Sequence, residues 1–177
     1  LLAQVLQEFE LLKENRIKTL RYKLTDVLMS ALAIFGLKYP SLLQFDQVRN
    51  HELVKANLKN LDGVEQAPCD TQMRKILDPV APEALKPAFI RIHHTLQRQK
   101  VLEQYKYLGG YLVSVDGTGQ FSSSEIQCPE CGSRKLRNGT VQNYHQLLAA
   151  AIVHPAKSTV LPFFALRDHS PRWRRQK

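Results

Sequence analysis

The feature that most limits what this chain can fold into is a change of hydrophobic period at Gly109-Gly110. Before those glycines, apolar residues recur at three- and four-residue steps, the period of helices that bury one face. Leu20, Leu24, Val27, Leu28, Ala31, Leu32 and Phe35 predict one helix, ended by Gly36 and Pro40. Ser41 is placed to cap the next, through Leu43 and Val48, and Leu53, Val54, Leu58 and Leu61 carry the pattern to an Asp62-Gly63 turn. Asp70 is expected to cap "TQMRKIL", with Met73, Ile76 and Leu77 on the buried side until Asp78-Pro79 stops the helix. A longer helix from Pro82 should turn Leu85, Phe89, Ile92 and Leu96 inward. After the glycines, "YLVSV", "VQNYHQLLAAAIV" and "STVLPFFAL" have the β-branched, apolar character of strands, the last two joined as a hairpin by "HPAK". The fold class expected is therefore α+β, helices first and a sheet after.

Charge narrows the partners. The 177 residues carry 25 Lys and Arg against 16 Asp and Glu, a formal +9, which favours a polyanion because neutralised phosphates release condensed counterions. No window approaches the roughly 18 to 20 apolar residues of a bilayer span, and the first residues carry acids where a signal peptide is basic, so an intracellular protein without a membrane segment is expected. The chain starts at Leu1 rather than Met, which suggests a start inside a longer reading frame. Two of three cysteines form Cys128-x-x-Cys131, a spacing that suits a metal better than a disulfide framework.

Four groups of residues carry candidate chemistry. Asp116, in "YLVSVDGTGQF", shares a strand face with Leu112 and Ser114 and reads either as a turn residue or as a metal-binding carboxylate at the end of a buried strand. "CPECG" supplies two thiolates, half of a tetrahedral zinc site, and His145, 14 residues after Cys131, is the candidate to join Cys128 and Cys131. Thr71, Gln72, Arg74 and Lys75 lie on a short helix where they can face DNA phosphates or base edges, or simply solvent. The tail "RDHSPRWRRQK" gathers Arg172, Arg174 and Arg175 around the chain's one Trp, a pattern for stacking on and neutralising nucleic acid that lacks fold-forming periodicity.

Together, "APCDTQMRKILDPVAPEALKP", "GGYLVSVDGTGQFSSSEIQCPECG" and "RNGTVQNYHQLLAAAIVHPAKSTVLP" resemble the front part of bacterial insertion-sequence transposases of the DDE type, from about Leu42 to Pro162. The resemblance implies a helical DNA-binding region before an RNase H-like catalytic domain, and Asp116 in "SVDGTG" matches the first of three metal-binding acids. It also implies phosphodiester cleavage and strand transfer at transposon ends, with two Mg²⁺ ions bridged by Asp116. The cell compartment implied is the bacterial cytoplasm, at the nucleoid.

The sequence departs from that pattern in two places. The second Asp and the Glu of the triad are missing, and Asp168 follows "LPFFAL" too closely to supply either. A His expected soon after the second Cys is replaced by Leu136 and Arg137, and the family pattern stops near Pro162 before a tail that looks frame-shifted. The expected organisation is a helical region over 1–66, a helical DNA-binding or linker region over 67–106, and an incomplete RNase H-like domain over 107–166. That last part would hold one strand, a Cys-x-x-Cys insertion and a hairpin, followed by a basic tail over 167–177. The implied protein is a truncated transposase, inactive alone, that binds double-stranded DNA and pairs with itself or with full-length transposase. The alternative is a non-enzymatic DNA-binding or interaction protein that inhibits the full-length enzyme, and a zinc-ribbon adaptor is a third reading.

Overall fold

The computed structural model describes residues 1–14, 16, 21–129, 131–163 and 166–167. The chain forms two compact units, Leu1–Gln99 and Lys100–Lys177. Helices on both sides of residue 66 share a single core in the first unit, and the division falls seven residues before the expected one at 106.

The first unit is helical: α1 (Leu2–Glu10), α2 (Leu24–Gly36), α3 (Leu42–Val48), α4 (Glu52–Asp62), α5 (Asp70–Leu77), a 3₁₀ turn (Pro82–Leu85) and α6 (Lys86–Arg98). Helix α2 lies at the centre, in contact with α1, α4 and α5, and buries Val27, Leu28, Met29, Ser30, Ala33 and Ile34. The stripe expected from periodicity is corrected here, because Phe35 is 79% exposed while Met29 and Ser30 are inside. A helix packed on several sides has no single buried face. Ser30 is tolerated because its hydroxyl donates to the Asp26 carbonyl at 2.6 Å. The first turn of α2 takes its cap from outside: Glu14 accepts from the Leu24 N–H at 3.2 Å while bound to Arg16, whose guanidinium holds the Glu14 carboxyl below its usual range.

Two local signals decide the neighbouring helix ends. Ser41 Oγ accepts from the Gln44 N–H and starts α3. Gly63, at φ 69°, ends α4 and lets the Val64 N–H reach the Leu58 carbonyl at 3.0 Å, the left-handed step glycine makes at no steric cost. Asp70 is not the cap of α5. Cys69 holds that position without a side-chain bond, and Asp70 is the first helical residue, its carboxylate taken by Arg74 one turn on.

The second unit is an antiparallel sheet: β1 (Lys106–Tyr107), β2 (Gly110–Ser123), β3 (Gly132–Lys135), β4 (Val141–Val153), β5 (Leu161–Pro162) and β6 (Leu166–Arg167). β4 is central, with β2 along one edge and β3, β6 and β5 along the other. Leu108 and Gly109, both at positive φ, make the two-residue turn that joins β1 to β2, the geometry that matches strand twist. The α+β class and the hairpin between β4 and β5 agree with expectation.

The expected end of the first strand does not. β2 continues through Asp116-Gly117 for 14 residues because β4 offers a partner of nearly equal length, and Gly117 and Gly119 pair with Leu148 and Gln146. Nor is β2 a buried strand: residues 111 to 119 are all exposed, Val113 by 50% and Val115 by 58%.

Asp62, at the last turn of α4, is 6% exposed, and burial raises its carboxyl above the usual range. A raised carboxyl means that the folded state binds the proton more tightly than the unfolded one. Stability is therefore lost as pH rises through the carboxylate range and recovered below it. Asp62→Asn is expected to stabilise the helical unit at neutral pH in urea unfolding, with the difference closing toward acid pH. A variant less stable than the parent at pH 7 would mean that the carboxylate has a favourable partner.

Candidate metal centre

The pairing of β3 with β4 builds the one cluster of three metal-ligating side chains among the described residues. Gly132 sits opposite Tyr144 and Lys135 opposite Val141. Cys131, one residue before Gly132, is thereby carried beside His145, one residue after Tyr144. The hairpin closes with the Leu136 N–H on the Thr140 carbonyl at 2.9 Å, over Gly139 at φ 86°. Ser133 donates to Asn143 Oδ1 at 2.8 Å, and Asn143, 6% exposed, reaches back to the Ile126 carbonyl. That buried amide ties the segment before the cysteines to the same strand pair.

Cys128 and Cys131 form a tight turn, with the Cys131 N–H on the Cys128 carbonyl at 3.1 Å and the Cys128 N–H on Cys131 Sγ at 3.3 Å. His145 Nε2 lies 3.1 Å from Cys128 Sγ and 3.4 Å from Cys131 Sγ, and the sulfurs are 3.4 Å apart. A tetrahedral ion with bonds of about 2.3 Å to sulfur and 2.0–2.1 Å to nitrogen needs separations of roughly 3.5–3.8 Å, so an outward shift of a few tenths of an ångström seats one. The three residues could hold a metal ion, with a fourth position left for another ligand. The Cys128 N–H pulls the Cys131 pKa down, but desolvation and the adjoining Cys128 sulfur outweigh that and raise it, so the thiol form is favoured and the Cys131 S–H donates toward Cys128 Sγ. Binding of an ion would displace that proton.

Gly132 lets the Tyr144 ring lie close against β3. A Cβ there would stand 2.9 Å from Cζ of Tyr144, whose ring also carries the Arg134 guanidinium at 5.4 Å. Arg134 in turn donates twice to Gln142 Oε1, at 2.9 and 2.6 Å. These neighbours were not singled out from sequence, although Asn138-Gly139 is a strong hairpin signal.

The other candidates stand apart from the cluster. Asp116 lies within β2, exposed and paired with Ala149. A register shift between Gly119 and Phe121 sets Phe121 opposite His145, so Asp116, Phe121 and His145 share one face of the sheet. Four residues of β4 separate the partner of Asp116 from His145, about 13 Å at strand rise. Among the described residues Asp116 belongs to no group of three ligands. Thr71, Gln72, Arg74 and Lys75 are all exposed on α5, and Arg74 is paired with Asp70. Arg172, Arg174, Arg175 and Asp168 lie outside the described residues.

No protein-family model, curated protein or solved structure matches the chain. No described helix is long and apolar enough to cross a membrane.

Adding Co²⁺ to the reduced protein is expected to give about one ion per chain with sulfur-to-metal charge-transfer absorption in the near ultraviolet, and the band should fade toward acid pH, where protons compete with the metal for its ligands. Cys128→Ser and His145→Ala should each weaken it severely. A band that survives both substitutions would place the ion elsewhere.

Proposed function

We propose that this chain is a DNA-binding portion of a DDE-type insertion-sequence transposase, carrying the first acid of its RNase H-like domain and a zinc-held insertion. The observation that carries the reading is the order of elements in the second unit. A long strand bearing Asp116 pairs antiparallel with β4, β4 pairs with β5, and the cysteine turn lies in the connection between β2 and β4. Open faces support it too: an apolar strand with Val113 and Val115 half-exposed fits a sheet that other elements would cover in a complete catalytic domain. Zinc suits two thiolates and one imidazole better than a hard cation does, and its work here would be to hold the cysteine turn against β4.

The magnesium chemistry of such enzymes is not assigned to this chain. One exposed carboxylate, outside any ligand cluster among the described residues, does not fit a two-ion centre that needs several oxygens at octahedral geometry. That isolation of Asp116 is what favours the second reading, a non-enzymatic DNA-binding protein that occupies transposon ends or pairs with full-length transposase.

Duplex DNA should bind with an affinity that falls steeply between low and moderate salt, as counterion release requires for a chain of formal charge +9. Affinity indifferent to salt would remove the electrostatic basis. In a nicking assay on supercoiled plasmid with Mg²⁺ or Mn²⁺, the chain and its Asp116→Ala variant are expected to be equally inactive. Metal-dependent nicking lost in the variant would show a complete catalytic site.

A further inference from the structure

We infer that the β3–β4 hairpin is a second DNA contact, a two-stranded ribbon whose basic tip enters a groove of duplex DNA; this rests on the DNA-binding reading above. The hairpin carries Arg134, Lys135 and Arg137 within four residues, all exposed, and no Asp or Glu occurs from Gly132 to Val153. Among the described residues no carboxylate pairs with any of the three. On α5, by contrast, one of the two candidate cations, Arg74, is paired with Asp70. A phosphate approaching the hairpin meets cations that are not neutralised.

The arrangement of the charges favours a groove over a flat surface. Arg134 and Lys135 are consecutive in β3 and so project from opposite faces of the ribbon, while Arg137 lies in the connecting loop between them and β4. Cations on both faces and at the tip suit an element flanked by phosphates on two sides. The major groove, about 12 Å wide, admits a two-stranded ribbon. Asn138 and Thr140 sit at the same tip and offer polar groups where base edges would lie. Arg134 is also pre-positioned, its guanidinium held by Gln142 Oε1 and the Tyr144 ring. The cysteine–histidine cluster fixes the base of the ribbon, so a bound ion would hold its tip at a constant angle to the sheet.

The test is fluorescence anisotropy of the full chain, in zinc-containing buffer, on duplex DNA over a range of salt. Arg134→Gln, Lys135→Gln and Arg137→Gln combined should lower affinity at low salt by about tenfold or more and reduce the slope of log K against log salt by roughly 2 to 3, near 0.9 per lost phosphate contact. Arg137→Gln alone, in an exposed loop where folding is not at stake, should reduce the slope by about 1. A parallel variant of the helix, Gln72→Ala with Lys75→Gln, separates the two readings. If the parent binds and the hairpin variants match it in affinity and slope, the hairpin inference is overturned, whatever the helix variant does. If the parent shows no salt-dependent binding, the wider DNA-binding reading falls and takes the inference with it.

Discussion

The register between β3 and β4 is the constraint on which the chemistry of the second unit depends. A strand pair has a two-residue repeat, so sliding β3 by one position would turn every side chain to the opposite face. With Gly132 opposite Tyr144, the cysteine before it arrives beside His145, and a Cβ at Gly132 would press on the end of the Tyr144 ring. The buried Asn143 amide, bonded to Ser133 and to Ile126, gives the same register a polar lock that a slipped hairpin would leave unsatisfied.

What could be read from the sequence was whatever short-range chemistry decides. Ser41 starts α3 and Gly63 ends α4 where expected because a cap and a left-handed residue act over three or four positions. The Cys128–Cys131 spacing likewise announces a turn that could hold a metal ion, and His145 lies beside it. The misreadings come from partners distant in sequence. Asp116-Gly117 has the composition of a turn, yet β4 pairs straight through it. Phe35 belongs to an apolar stripe and still faces solvent, since α2 is surrounded on other sides. β3 was missed because "GSRK" has no apolar alternation; its strand geometry comes from β4 and a tight turn.

The two units manage their charge differently. In the helical unit, acids sit within reach of bases: Glu14 with Arg16, Asp46 with Arg49, Lys59 with Glu65, Asp70 with Arg74 and Glu8 with Arg91. Pairs this exposed stabilise little, but they cancel the field that their surface presents to a distant polyanion. In the sheet unit the described pairing is Glu103 with Lys106, next to β1, and the hairpin is left uncompensated. The hairpin cations Arg134, Lys135 and Arg137 thus lie on an element whose shape is set by the sheet and the cysteine turn, with no carboxylate paired to them among the described residues.

The register shift between Gly119 and Phe121 also divides β2 in how it can change. On the Asp116 side, β2 and β4 advance residue for residue; beyond the shift, one extra residue on β2 brings Phe121 round to the His145 ring, 6.1 Å away between centroids. Removal of the Gln120 codon would take out the extra residue and leave Asp116 opposite Ala149 and Phe121 opposite His145, each on the face it now holds. The shift is thus slack in the strand: a lineage carrying it can absorb the loss of one residue between the carboxylate and the cysteine–histidine cluster without turning either one over.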